Sequence, residues 1–93
     1  MVDFVKLGEF LYNKRNSLGY TQETVAAIVD ISDRTLRNIE YGLVVPDIET
    51  IMKLWDLYEL SPDDLFAFYS QDEVMNEMKK IYKNKRKRVS VVG

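Results

Sequence analysis

The residues best equipped for chemistry lie between Ile31 and Gly42, in the stretch ISDRTLRNIEYG. One side of a short helix there would carry Asp33, Arg34, Thr35, Arg37 and Asn38, and the other Leu36 and Ile39. Ser32 suits its N-terminal cap and Gly42 its end. These polar side chains donate and accept hydrogen bonds, so the chemistry on offer is recognition of a polar surface rather than bond making. The rest of the chain agrees. It has no His and no Cys, which removes the usual general base, the Ser-His-Asp triad, thiolate metal sites and disulfides. It has no Gly-rich phosphate loop and no carboxylate pair in an evident cleft. No enzyme, metal or other cofactor is expected.

Ninety-three residues, 46% hydrophobic and 30% charged, suit one small globular domain with a tail. No apolar run approaches the roughly 18 residues of a membrane span. The N-terminal MVDFVKLGEF carries acids and has no signal-peptide core, so a cytoplasmic location is expected. The net charge of −2 conceals an uneven distribution. Residues 1–45 are nearly balanced, residues 46–71 hold one base against six acids, and residues 72–93 hold seven bases against three acids. Charge is therefore placed locally.

Apolar spacing and stop signals predict an all-α chain of five helices with a C-terminal helical extension. The first spans about Asp3 to Ser17, with Phe4, Leu7 and Leu11 on one face, and stops at Gly19. Thr21 caps a second, which buries Val25, Ala26, Ile28 and Val29. The ISDRTLRNIEYG helix is the third. Pro46 disfavours a helical Val45, and Asp47 caps a fourth helix with Ile48, Ile51, Leu54, Trp55 and Tyr58 inward. SPDD starts a fifth, running through Leu65, Phe66 and Phe68, with Pro62 in its first turn and acids at the positive end of its dipole. Residues 1–70 form the domain, and 71–93 an amphipathic, basic extension. The terminal RVSVVG is the one strand-like run.

The second and third helices are joined only by Asp30, Ile31 and Ser32, and so short a joint forces a steep crossing. The small Ala26 permits close approach, with Val25, Val29, Ile31, Leu36 and Ile39 packing beneath. The polar side of the third helix then projects outward, in the form that enters the major groove of DNA.

The segment GYTQETVAAIVDISDRTLRNIEYGLVVPDIETIMKLWDLYELSPDDLF resembles the lambda-repressor-like helix-turn-helix proteins, the Cro/repressor family. The TQE opening, Ala26, the Ile31-Ser32 entry, the Ile39-Glu40 pair, the Pro after Gly42 and SPDDLF stand in the family's order. The resemblance implies a five-helix fold and sequence-specific binding of double-stranded DNA as a transcriptional regulator. It implies that Gln22 offers its amide to a phosphate and that Asp33, Arg34 and Asn38 read bases. Ser32, Thr35 and Arg37 flank those readers. It also implies an ion pair between Arg15 and Glu40. Arg can bind guanine, and Asn adenine, through two bonds each, and Asp can accept from cytosine.

The chain departs from the family at two places. Asp30 stands where Gly is usual, and Asp tolerates the left-handed turn. Leu43, Val44 and Val45 stand where the family often sets Lys, Arg or Asn against phosphate, so backbone N–H groups are the donors expected there. One reading helix covers few base pairs, so a homodimer is expected. The stripe Phe68, Tyr69, Val74, Met75, Met78, Ile81 and Tyr82 is the apolar surface available for it, or for folding back on the body. A further regulatory partner fits as well. The competing reading is a protein-interaction module, antitoxin-like or partner-binding, with weak DNA affinity.

Overall fold

In the computed structural model, residues 3–80 are described. They form α1 (Phe4–Ser17), α2 (Gln22–Val29), α3 (Asp33–Glu40), α4 (Ile48–Leu57) and α5 (Pro62–Phe66). A sixth helix, α6, covers residues 71–80. Among the described residues all regular structure is helical. The terminal RVSVVG lies outside them.

Each of the first five helices starts on a side-chain cap. Asp3, Thr21, Ser32, Asp47 and Ser61 accept from backbone N–H groups of their first turns, satisfying donors that have no partner within the helix. Four of the ends share a device too. Gly19, Asp30, Gly42 and Glu59 all take positive φ. In each case the next residue's N–H reaches back: Tyr20 to the Arg15 carbonyl, Ile31 to Ala26, Leu43 to Asn38 and Leu60 to Trp55, at 2.9–3.2 Å. This is the Schellman turn, which reverses the chain at once. Asp30, at φ 61 and ψ 50, holds the left-handed turn that Gly supplies elsewhere in the family.

Leu7, Leu11, Val25, Ala26, Val29, Leu36, Ile39, Ile51, Leu54, Trp55 and Tyr58 make one core. Gly8 brings α1 onto the end of α3. A Cβ there would stand 2.5 Å from the carbonyl oxygens of Ile39 and Glu40, so only hydrogen fits. Three expectations need correction. Ile28 is more than half exposed rather than buried, because the two-helix crossing uses Val25, Ala26 and Val29. The fifth helix ends at Phe66, before Phe68, and Ala67 and Phe68 turn back towards Leu65. Val74, placed on the sequence's dimer stripe, is 1% exposed in the chain's own core, since α6 folds back against the body.

Candidate nucleic-acid interface

α3 is held from within by Leu36, Ile39 and Glu40, all buried. Its outer side carries Asp33, Arg34 and Arg37, exposed, with Asn38 half-buried. None of these four side chains makes a hydrogen bond or ion pair among the described residues. Ser32 and Thr35 are engaged with each other: the Ser32 hydroxyl donates to Thr35 Oγ1 at 2.8 Å and accepts the Thr35 N–H at 3.0 Å. Their oxygens build the entrance of the helix, and the unbonded donors Arg34, Arg37 and Asn38 are spread over its first two turns.

Behind α3 lies a charged tie. Glu40 Oε2 accepts from Arg15 Nε at 2.7 Å, and Glu40 Oε1 accepts from Arg15 Nη2 at 3.1 Å. Both side chains are almost wholly buried. Arg15 Nη1 also donates to the Tyr20 carbonyl at 2.9 Å, and the guanidinium lies over the Tyr12 ring, 5.4 Å from its centre. The hydrogen bonds to Glu40 raise the Arg15 pKa further, against the opposing effect of burial. Planar, two-point pairing of this kind is where Arg outperforms Lys. Tyr58 is buried nearby with no partner for its hydroxyl among the described residues, and burial followed by the Glu40 charge pushes that phenol up.

Gln22 joins the same tie. Its Nε2 donates to Glu40 Oε1 at 2.9 Å, so one carboxylate on α3 gathers side chains from α1 and α2. Gln22 therefore starts from a fixed position at the first turn of α2. Sequence reading gave no hint of this bond, because 18 residues separate its partners and only the crossing brings them together. The cleft in front of Gln22, about 500 Å³, is lined by Arg15, Tyr20, Gln22, Asp33 and Arg37. Asn16, Thr21 and Glu23 also border it and were not singled out from the sequence. Thr21 was legible only as a cap, and Asn16 carried no local signal.

The loop after α3 differs from expectation. The Leu43 and Val44 N–H groups both donate to the Asn38 carbonyl, at 2.9 and 3.3 Å. They are consumed in ending the helix and are not the donors expected of this loop. Leu43 is 74% exposed and Val45 56%, so the loop presents hydrocarbon to its surroundings. Of the stripe near the C-terminus, Phe68 is half-buried against Phe10 and Trp55. Met75 and Met78 are exposed. Ile81 and Tyr82 lie outside the described residues. No helix among the described residues is long and apolar enough to cross a membrane.

The helix-turn-helix family model matches residues 11–65, more than half of the chain. The chain is 37% identical over 70 residues to the HTH-type transcriptional regulator ImmR of Bacillus subtilis, a match covering 75% of this chain and 53% of ImmR. It is 32% identical over 80 residues to the cryptic phage CTXphi transcriptional repressor RstR of Vibrio cholerae, covering 83% of this chain and 71% of RstR. A SPbeta prophage-derived HTH-type transcriptional regulator of Bacillus subtilis, YonR, is 32% identical over 74 residues. The chain thus spans about half the length of ImmR and more than two thirds of RstR. The short α2–α3 joint, the Ser32-capped α3 packed against α2 and the sequence match agree: this chain belongs to the lambda-repressor-like helix-turn-helix family of DNA-binding regulators, a non-enzymatic class.

Proposed function

We propose that this chain is a sequence-specific regulator of transcription that reads the major groove of double-stranded DNA with α3. The observation that carries this reading is the division of labour on α3. Leu36, Ile39 and Glu40 fix the helix, while Asp33, Arg34, Arg37 and Asn38 project with no bonds to the rest of the described protein. Arg34 reads guanine, Asn38 adenine, and Asp33 accepts from cytosine. Gln22, steadied by Glu40, offers its remaining amide hydrogen to a phosphate at the start of α2. Ser32, Thr35 and Arg37 line the approach. The protein works in the cytoplasm, where its DNA is.

A homodimer completes the reading, because one helix specifies too few base pairs to pick a site from a genome. The two half-sites then lie about 34–36 Å apart, centre to centre. Met75 and Met78 supply the exposed part of α6, and Ile81 and Tyr82 follow at the same spacing in the sequence. Sedimentation of wild type against Met75→Glu tests the contact: a dimer turned monomer supports it, and an unaltered dimer refutes it.

Selection of bound sequences from a random duplex pool tests the function itself. Enrichment of a two-fold symmetric site is the expected result, and a pool left unenriched overturns the reading. One observation favours a second reading as a partner-binding module. Residues 46–71 are strongly acidic, and the loop of Tyr41, Leu43 and Val45 is exposed and apolar. A gel shift on random duplex separates the two. A DNA regulator binds at low salt and releases as salt rises, whereas a partner-binding module leaves the duplex unshifted at either salt.

A further inference from the structure

The basic segment after α6 and the acidic half of the domain were left unconnected by the reading of α3. The structure supplies a place where they meet. A groove of about 330 Å³ runs between α4, the start of α5 and α6. Met52, Trp55, Leu60 and Met78 give it apolar walls, and Asp56 and Glu59 also line it. Asp63 and Asp64 follow directly in the first turn of α5. Among the described residues none of these four acids is in an ion pair. The one base between Pro46 and Gln71, Lys53, is paired with Glu49.

We propose that residues 83–93 of the same chain occupy this groove. Three observations favour that occupant. First, the charges match: the segment has Lys83, Lys85, Arg86, Lys87 and Arg88 and no acid, against Asp56 and Glu59 in the groove lining and Asp63 and Asp64 just beyond it in the sequence. Second, the apolar parts match: Val89, Val91 and Val92 follow the bases, and the groove wall is apolar. Third, the segment starts beside its site. Met78 is a wall residue, and the segment begins five positions later with eleven residues, an extended reach of about 36 Å. Met75 does not line the groove, so the docked segment leaves that side of α6 open to a second copy. Docking offsets the acid surplus of residues 46–71, and it is independent of what α3 reads.

The chain has no cysteine and a single tryptophan, Trp55, which makes the test clean. Trp55 Nε1 donates to the Ser61 carbonyl at 2.9 Å, so its indole N–H is a fixed reporter on the groove wall. A nitroxide is attached to Val91→Cys in the full chain and the Trp55 indole N–H resonance is followed by NMR. The expected result is several-fold broadening at low salt. It is lost in about 1 M salt, where the Debye length falls to about 3 Å, and lost in an Asp56→Asn/Glu59→Gln background. An unbroadened Trp55 signal at low salt overturns the proposal. So does broadening that persists in the double variant and in high salt. Mixing spin-labelled chains with isotope-labelled, cysteine-free chains separates the last possibility: broadening in the mixture means the segment docks on a second copy, and the same-chain proposal fails.

Discussion

Glu40 on α3 receives Arg15 from α1 through two hydrogen bonds, at 2.7 and 3.1 Å, with both side chains almost out of solvent. Removing one partner leaves the other charge buried alone, which costs about 3–5 kcal/mol. Glu40→Ala is therefore expected to lower stability by that amount in urea unfolding. Arg15→Met/Glu40→Leu, which removes both charges, is expected to lose much less. If the double variant is as unstable as the single, the cost lies in packing rather than in the orphaned charge.

Arg34 is exposed and makes no hydrogen bond or ion pair among the described residues, so Arg34→Ala should leave stability within about 0.5 kcal/mol of wild type. On DNA it should cost about 1–3 kcal/mol and relax preference at one base pair of each half-site. Gln22→Ala should weaken binding evenly across sequences. Competition binding against a set of single-base operator variants distinguishes the two patterns. An Arg34→Ala protein with unchanged preference would assign base reading to other residues.

The left-handed turn residues make opposite predictions. At Gly42 a Cβ would lie 2.8 Å from Val5 Cα, in a backbone with φ +76. Gly42→Ala thus combines a steric clash with a conformational cost of about 1–2 kcal/mol. Asp30 already bears that conformational cost at φ 61, so Asp30→Gly should gain up to about 1 kcal/mol. Thermal unfolding of both variants checks the signs.

Stability should fall at both ends of the pH scale. Tyr69, whose hydroxyl donates to the Pro46 carbonyl at 2.8 Å, is pushed up to about 12 by burial and then by the Glu73 charge. Tyr58 is raised too. Both folded values exceed the unfolded value near 10, so the unfolded chain loses its protons first. The tyrosine contribution is level below about pH 10 and declines as pH rises through about 12. Tyr69→Phe should flatten that decline and cost about 0.5–1.5 kcal/mol at neutral pH. At the acid end Asp47, held low by its bonds to Thr50, contributes stability present above the ordinary Asp value and lost as pH falls through its lowered one. Asp47→Asn keeps the cap and should remove that part of the acid dependence. Urea midpoints across the pH range read both effects.

Local signals were the legible ones. Thr21, Ser32, Asp47 and Ser61 announced their helices because a cap acts within three residues. The left-handed turn at Asp30 was legible through the family resemblance, which sets Gly there, and through the tolerance of Asp for that conformation. What needed the third dimension stayed hidden. The apolar spacing of Val74, Met75 and Met78 showed a stripe but not which flank meets the body, and Val74 proved to belong inside. Ile28 read as buried because its neighbours are. The donors of Leu43 and Val44 were assigned outward, although Gly42 already signalled a turn that draws them back to Asn38. The site shows the same division: α3 and its outward residues could be read, but the place of Gln22 beside Glu40 could not.

The independence of Asp33, Arg34, Arg37 and Asn38 from the rest of the protein has a consequence for how such a chain can change over generations. Core, caps and the Glu40 tie fix where α3 lies without drawing on those four side chains. If these four read bases as proposed, substitutions among them alter the preferred operator while the fold barely registers the change, surface replacements being worth within about 0.5 kcal/mol. On that reading a lineage can exchange one target sequence for another through a handful of tolerated steps, whereas a lone substitution at Gly8, Arg15 or Glu40 weakens the fold itself.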